Sequence, residues 1–318
     1  MYAWSTIASA ITLVFAVIGI GVAVRRLEWL TEEADASLVR LCVRLLLPCL
    51  IIGGMGRGQW QTDIVHLALP PLTGFGLATL GIALSGLAAY GLGPLVGLRT
   101  TPERRTFALC TGLYNYGFVP IPLVTEVYPG NTTTLSALLL HNVGVEIAMW
   151  TVGILVLTGK LGRRWWAGVL NPVLIAIVIS IAFRLSNTWQ YLPAWTVRTI
   201  DILGACAIPL SLLLTGATVS DVWGQADLRR GWRTVTAACV LRMGLLPLTF
   251  FLTARLLHTD ADLTRVLAIQ AAMPAAMFPI VLARHFGGDA VTAVRVVVGT
   301  SIVGLVTMPL WLAIGLAL

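Results

Sequence analysis

Residues 112–122 read Gly112-Leu113-Tyr114-Asn115-Tyr116-Gly117-Phe118-Val119-Pro120-Ile121-Pro122, and residues 270–279 read Gln270-Ala271-Ala272-Met273-Pro274-Ala275-Ala276-Met277-Phe278-Pro279. Each stretch lies in an apolar run long enough for a buried helix, and each carries two prolines. A proline removes one backbone donor and clashes with the preceding turn. Two of them in so short a stretch predict an unwound turn rather than a bend. Irregular backbone at membrane depth is tolerated only where it is buried in protein or lines a cavity. The freed N–H groups of the half-helix that follows carry a partial positive charge. Two such half-helices brought to one point would hold a carboxylate without a full cation. The competing reading is a pair of kinks used for packing.

The composition puts these stretches in a bilayer. Of 318 residues, 58% are hydrophobic and only 11% are charged, against about a quarter charged in a soluble domain. Mean hydropathy is +0.89. A soluble domain needs polar cover that this chain lacks, and disorder is excluded by the same apolar content. A span takes about 20 residues, so the sequence predicts an all-α membrane protein of ten helices. Their expected limits are 4–24, 38–56, 65–93, 106–128, 133–158, 167–185, 195–219, 231–257, 263–286 and 290–316. Pro70-Pro71 is expected to bound the third. The remaining residues suffice for short loops, not for a globular catalytic or DNA-binding domain. The five cysteines, Cys42, Cys49, Cys110, Cys206 and Cys239, sit in apolar stretches. They form no CxxC or Cys/His cluster, so no disulfide framework and no metal site is expected.

Arg25-Arg26 follows the first apolar run instead of preceding it, as expected of a retained helix and not of a cleaved signal. Placing the loops after helices one, three, five, seven and nine on one side collects fifteen of the 21 basic residues there. Arg99, Arg104, Arg105, Lys160, Arg163 and Arg164 are among them. Positive charge marks the cytoplasmic side, so both termini are expected outside. The net charge of +7 is then a property of loops, and no nucleic-acid partner is expected.

The two halves echo one another. Pro48 and Pro209 lie 161 residues apart. Pro120-Ile121-Pro122-Leu123 is matched by Pro279-Ile280-Val281-Leu282, at nearly the same offset. Five helices per half is an odd number, so the second half would enter the membrane upside down. That arrangement, an inverted repeat of 1–158 and 159–318, is common in secondary transporters.

Polar residues within these spans are the candidate functional groups. Asn115 lies at the first interruption, able to offer its amide to a ligand or to bond a neighbouring helix. Tyr114 and Tyr116 flank it, as cavity lining or as packing. His141, Asn142 and Glu146 lie within helix five. An intramembrane carboxylate is a functional candidate by default. Glu146 would carry a coupled proton, help hold sodium, or pair structurally with Arg242 of helix eight. Asp201 is expected in solvent near the outer face. No HExxH, GxSxG or Walker A pattern is present, so the sequence predicts neither an enzyme nor an ATP-driven pump.

The stretch from Ala268 to Ala283, followed by Phe286, resembles the auxin efflux carrier family, which includes plant auxin exporters and bacterial malonate and malate permeases. Asn115 with Pro122 seven residues on, Asn142 to Gly153 and Pro209 to Gly216 are similar too, and the likeness covers nearly the whole chain. The resemblance implies an NhaA-like transporter fold with crossing broken helices four and nine. Helices one, two, six and seven would form a dimerising scaffold, and helices three to five and eight to ten a transport domain. It implies an organic carboxylate as substrate, an elevator-type shift, a homodimer in the bacterial inner membrane, and no cofactor beyond a coupling proton or sodium ion. Asn115 would be a substrate ligand, and Pro120, Pro122, Pro274 and Pro279 would shape the crossing, with Ala275, Met277 and Asn142 beside it. Ala275 stands where the plant exporters have glutamine, and Gly159–Ala167 replaces their long central loop. Both departures point to a bacterial-type carrier. A membrane sensor or channel-like protein on the same fold is the alternative.

Overall fold

The computed structural model describes residues 4–58, 63–160, 166, 170–223 and 228–315. In chain order the helices are α1 (Trp4–Arg26), α2 (Glu32–Arg57), α3 (Ile64–Gly91), α4 (Thr101–Gly112), α5 (Pro120–Val127) and α6 (Thr132–Thr158). There follow α7 (Pro172–Ser186), α8 (Ala194–Trp223), α9 (Trp232–Leu256), α10 (Ala261–Ala272), α11 (Phe278–His285) and α12 (Ala290–Gly315). Seven of these are long and apolar enough to cross a membrane. The helix α7 is shorter; the first residues of the span expected from 167, and Arg163 and Arg164 of the loop before it, lie outside the described residues. The spans expected over 106–128 and 263–286 are each two short helices around an extended segment, α4/α5 and α10/α11.

Local signals explain most boundaries. Thr100 and Glu103 form a reciprocal capping box that starts α4 at Thr101, five residues before the expected limit. Asn131, Asn171 and Asp260 cap α6, α7 and α10 by accepting backbone N–H groups. The second helix begins at Glu32, where its polar first turn supplies Asp35 to Arg25. Pro70 and Pro71 stand inside α3 and do not bound it, which corrects the reading from sequence. The helix runs on through both prolines, and the Thr73 hydroxyl donates to the Pro70 carbonyl at 2.7 Å within this turn.

Small residues set the closest approaches. A Cβ on Gly74 would run into the carbonyl of His141, and one on Gly144 into the carbonyl of Pro71, so α3 and α6 meet backbone to backbone. Gly21 against Leu213 and Gly216 against Ile18 do the same for α1 and α8. Such contacts are the membrane substitute for a hydrophobic driving force. The helices α2, α7 and α8 pack together, with α1 along α8; α3, α4 and α6 pack together, as do α9, α10 and α12. Three wide helical turns, Cys42–Leu46, Met149–Gly153 and Val240–Leu245, interrupt α2, α6 and α9. At the last, the Met243 carbonyl accepts the Trp311 indole N–H at 2.6 Å.

Candidate functional site

The two proline-marked interruptions meet. The Asn115 N–H donates to the Pro274 carbonyl at 2.8 Å, and the Ala276 N–H donates to the Leu113 carbonyl at 3.0 Å. Tyr114 and Ala275 thereby pair as one antiparallel bridge. Backbone left without helical partners at one break is thus satisfied by the other, as burial demands. The Ala275 N–H is taken by the Thr300 hydroxyl of α12 at 3.2 Å. Pro120 and Pro279 are buried in the first turns of α5 and α11, where a missing N–H costs nothing.

Beside the crossing lies a cavity of about 330 Å³. One wall comes from α2, α7 and α8, through residues such as Leu47, Ile51, Leu174 and Ser211. The other comes from α6 and from both breaks. Of the residues expected at the site, Asn115, Tyr116, Pro122, Asn142, Glu146 and Met277 line it. Gly117 and Phe118 before α5, and Met277 and Phe278 at the start of α11, also line it, so two helix N-termini border one space.

Gln270 holds the two breaks to α6. Its amide donates to the Asn142 side-chain oxygen at 3.0 Å and to the Tyr116 carbonyl at 3.3 Å. Its own oxygen is buried without a hydrogen-bond partner. Asn171 reaches across the cavity: its amide donates to Glu146 Oε1 at 2.6 Å while its oxygen caps α7. Neither Gln270 nor Asn171 was singled out from sequence. The Asn171-Pro172 pair was a legible helix-start signal; the reach to Glu146 was not.

Three expected residues lie behind the crossing and away from the cavity. The Tyr114 hydroxyl bonds His141 Nε2 at 2.8 Å, and His141 Nδ1 bonds the Thr73 hydroxyl at 3.2 Å. Tyr114 also meets Phe250 edge-on. Arg242 lies over both rings, 5.4 and 5.5 Å from their centroids. Its Nε and Nη2 are buried without hydrogen-bond partners. The Glu146–Arg242 pairing considered from sequence does not form. Glu146 faces the cavity and takes Asn171, whereas Arg242 faces the aromatic cluster on the far side of Tyr114. Asp201 is ion-paired with Arg57 at the end of α2, not merely solvated. Among the described residues no group of three or more metal-ligating side chains gathers.

The membrane transport protein family matches this chain over residues 6–164 and 160–312. The chain belongs to that family. This is the auxin efflux carrier family that the broken-helix stretches resemble. An uncharacterized transporter of Methanocaldococcus jannaschii is 21% identical over 296 residues, covering 89% of this chain and 90% of its own length. The family and the apolar helices together make this a multi-pass membrane protein of a transporter family.

Proposed function

We propose that the protein is a secondary transporter of small organic anions that binds a carboxylate at the crossing of its two broken helices. One observation carries the reading: a single cavity is bordered by the N-termini of α5 and α11 and by the Asn115 and Asn142 amides. The two half-helix N-termini offer partial positive charge to a carboxylate, and the amide side chains offer N–H groups. The wall is otherwise mostly apolar, which suits an organic body.

The same cavity supports an elevator-type mechanism. It separates α2, α7 and α8 from α6 and the two breaks. In this reading α1, α2, α7 and α8 are the fixed scaffold, through which two copies associate. The helices α3 to α6 and α9 to α12 carry the substrate. The chain then has ten spans in two inverted repeats, with α4/α5 and α10/α11 each counted as one. With the basic loops inside and both termini outside the bacterial inner membrane, Asn171 at the start of α7 sits towards the cytoplasm.

The experiment is tracer exchange in proteoliposomes for malonate, malate, succinate and indole-3-acetate. A carrier gives saturable flux and counterflow for at least one acid. Linear, non-saturating flux would make the protein a channel, and binding without flux would make it a sensor.

A further inference from the structure

The cavity holds an acid and no base. Among its described lining residues Glu146 is the one carboxylate, and none is lysine, arginine or histidine. The groups facing it can be taken wall by wall. From the first break comes the Tyr116 phenol, 4.0 Å from Met149 Sδ. From α7 comes the neutral Asn171. From α8 comes Ser211, with the Cys42 thiol of α2 behind it at 3.1 Å. From the second break come Ala276, Met277 and Phe278. On α6 itself, His141 is turned to Tyr114 and Thr73, and Arg242 lies beyond the Tyr114 ring.

A carboxylate entering this space therefore meets a second carboxylate with no cation between them. Like charges that share a weakly hydrated site are not both ionised. Asn171 donates to Oε1 of Glu146 and the Trp150 indole, one turn on, bears on the same carboxyl group; the carboxylate oxygens still have lone pairs to take a proton. We infer that Glu146 is protonated each time a substrate anion binds, so the cavity carries one monocarboxylate together with one proton and discriminates against dicarboxylates. The proton comes from water on the side to which the cavity is open, adds to a Glu146 carboxylate oxygen, and leaves to water with the substrate on the other side. One negative and one positive charge move together, and the cycle is electroneutral. This rests on the organic-anion reading above and narrows its substrate class.

The test uses proteoliposomes of the full chain, with indole-3-acetate as the monocarboxylate and malonate as the dicarboxylate, corrected for protein-free vesicles. Counterflow, internal pH and current on a solid-supported membrane are recorded. Wild type should exchange indole-3-acetate in preference to malonate, without net current, and a gradient of one pH unit should support up to about tenfold accumulation. In Glu146→Gln the gradient-driven accumulation should disappear, and any remaining uptake should carry net negative charge. Asn171→Ser keeps a helix-capping oxygen but removes the amide that favours the ionised acid. It should move the pH of half-maximal uptake upward. The wild-type stoichiometry decides the matter even if neither variant folds. Several results would overturn the proposal: one negative charge moved per acid in wild type, an unchanged proton-to-acid ratio in Glu146→Gln, or malonate exchanged as well as indole-3-acetate. Tighter competition by leucine would also overturn it, because Glu146 would then be holding an ammonium group. Absence of saturable exchange for every acid would instead remove the organic-anion reading itself.

Discussion

Asn115 and Gln270 occupy neighbouring places at the crossing but do different work. The Asn115 N–H is spent on Pro274, while the residue itself lines the cavity. Asn115→Ala should therefore leave the fold intact and weaken substrate binding by about tenfold, the worth of one good hydrogen bond. Equilibrium tracer binding to purified protein checks this, and unchanged affinity would remove Asn115 from the site. Gln270 is fully buried and donates to both Asn142 and Tyr116. Gln270→Leu strands the buried Asn142 oxygen and the part-buried Tyr116 carbonyl and should cost about 1–3 kcal/mol, visible as a lowered unfolding temperature in detergent. Asn115 was legible in sequence because it stands five residues before a proline pair. Gln270 was not, since an amide one turn before a break looks like any polar residue on a helix. Asn171 is similar: its partner lies 25 residues away, across a cavity. The environment of Glu146 was legible only as a list of alternatives. Sequence cannot say on which side of Tyr114 an arginine lies.

At the scale of elements, prolines and glycines carry most of the information. The proline pairs marked both breaks correctly, and the backbone bonds between Asn115 and Pro274 and between Leu113 and Ala276 show why both must exist together. Each break supplies the partners that the other lacks. Pro70-Pro71 shows the limit of the same rule, because this proline pair, passed closely by α6, interrupts nothing. That passage depends on Gly74 and Gly144. Gly144→Leu should force α3 and α6 apart, at a cost of at least about 1–3 kcal/mol. It should lower the yield of monodisperse protein far more than Gly76→Leu, where the added Cβ meets nothing. Equal behaviour of the two variants on size exclusion would show that the α3–α6 contact does not matter to folding.

For the whole molecule, hydropathy made the all-helical membrane class plain, because so little charge is available to cover a soluble surface. The proposed partition into a scaffold and a moving group comes from the family resemblance, because periodicity does not encode which helices meet across the cavity. Val143 on α6 and Leu174 on α7 line the cavity from its two walls. In a background without the five native cysteines, joining cysteines at these positions with a short reducible linker should stop exchange, and reduction should restore it. Full exchange in the linked protein would contradict relative movement of the two walls. The central claim is that the crossing is where a carboxylate binds, and counterflow of wild type beside Asn115→Ala in proteoliposomes tests it most directly. Saturable counterflow of an organic acid in wild type, lost or shifted to about tenfold higher concentration in the variant, is the predicted result. Identical saturation curves for the two proteins would contradict it.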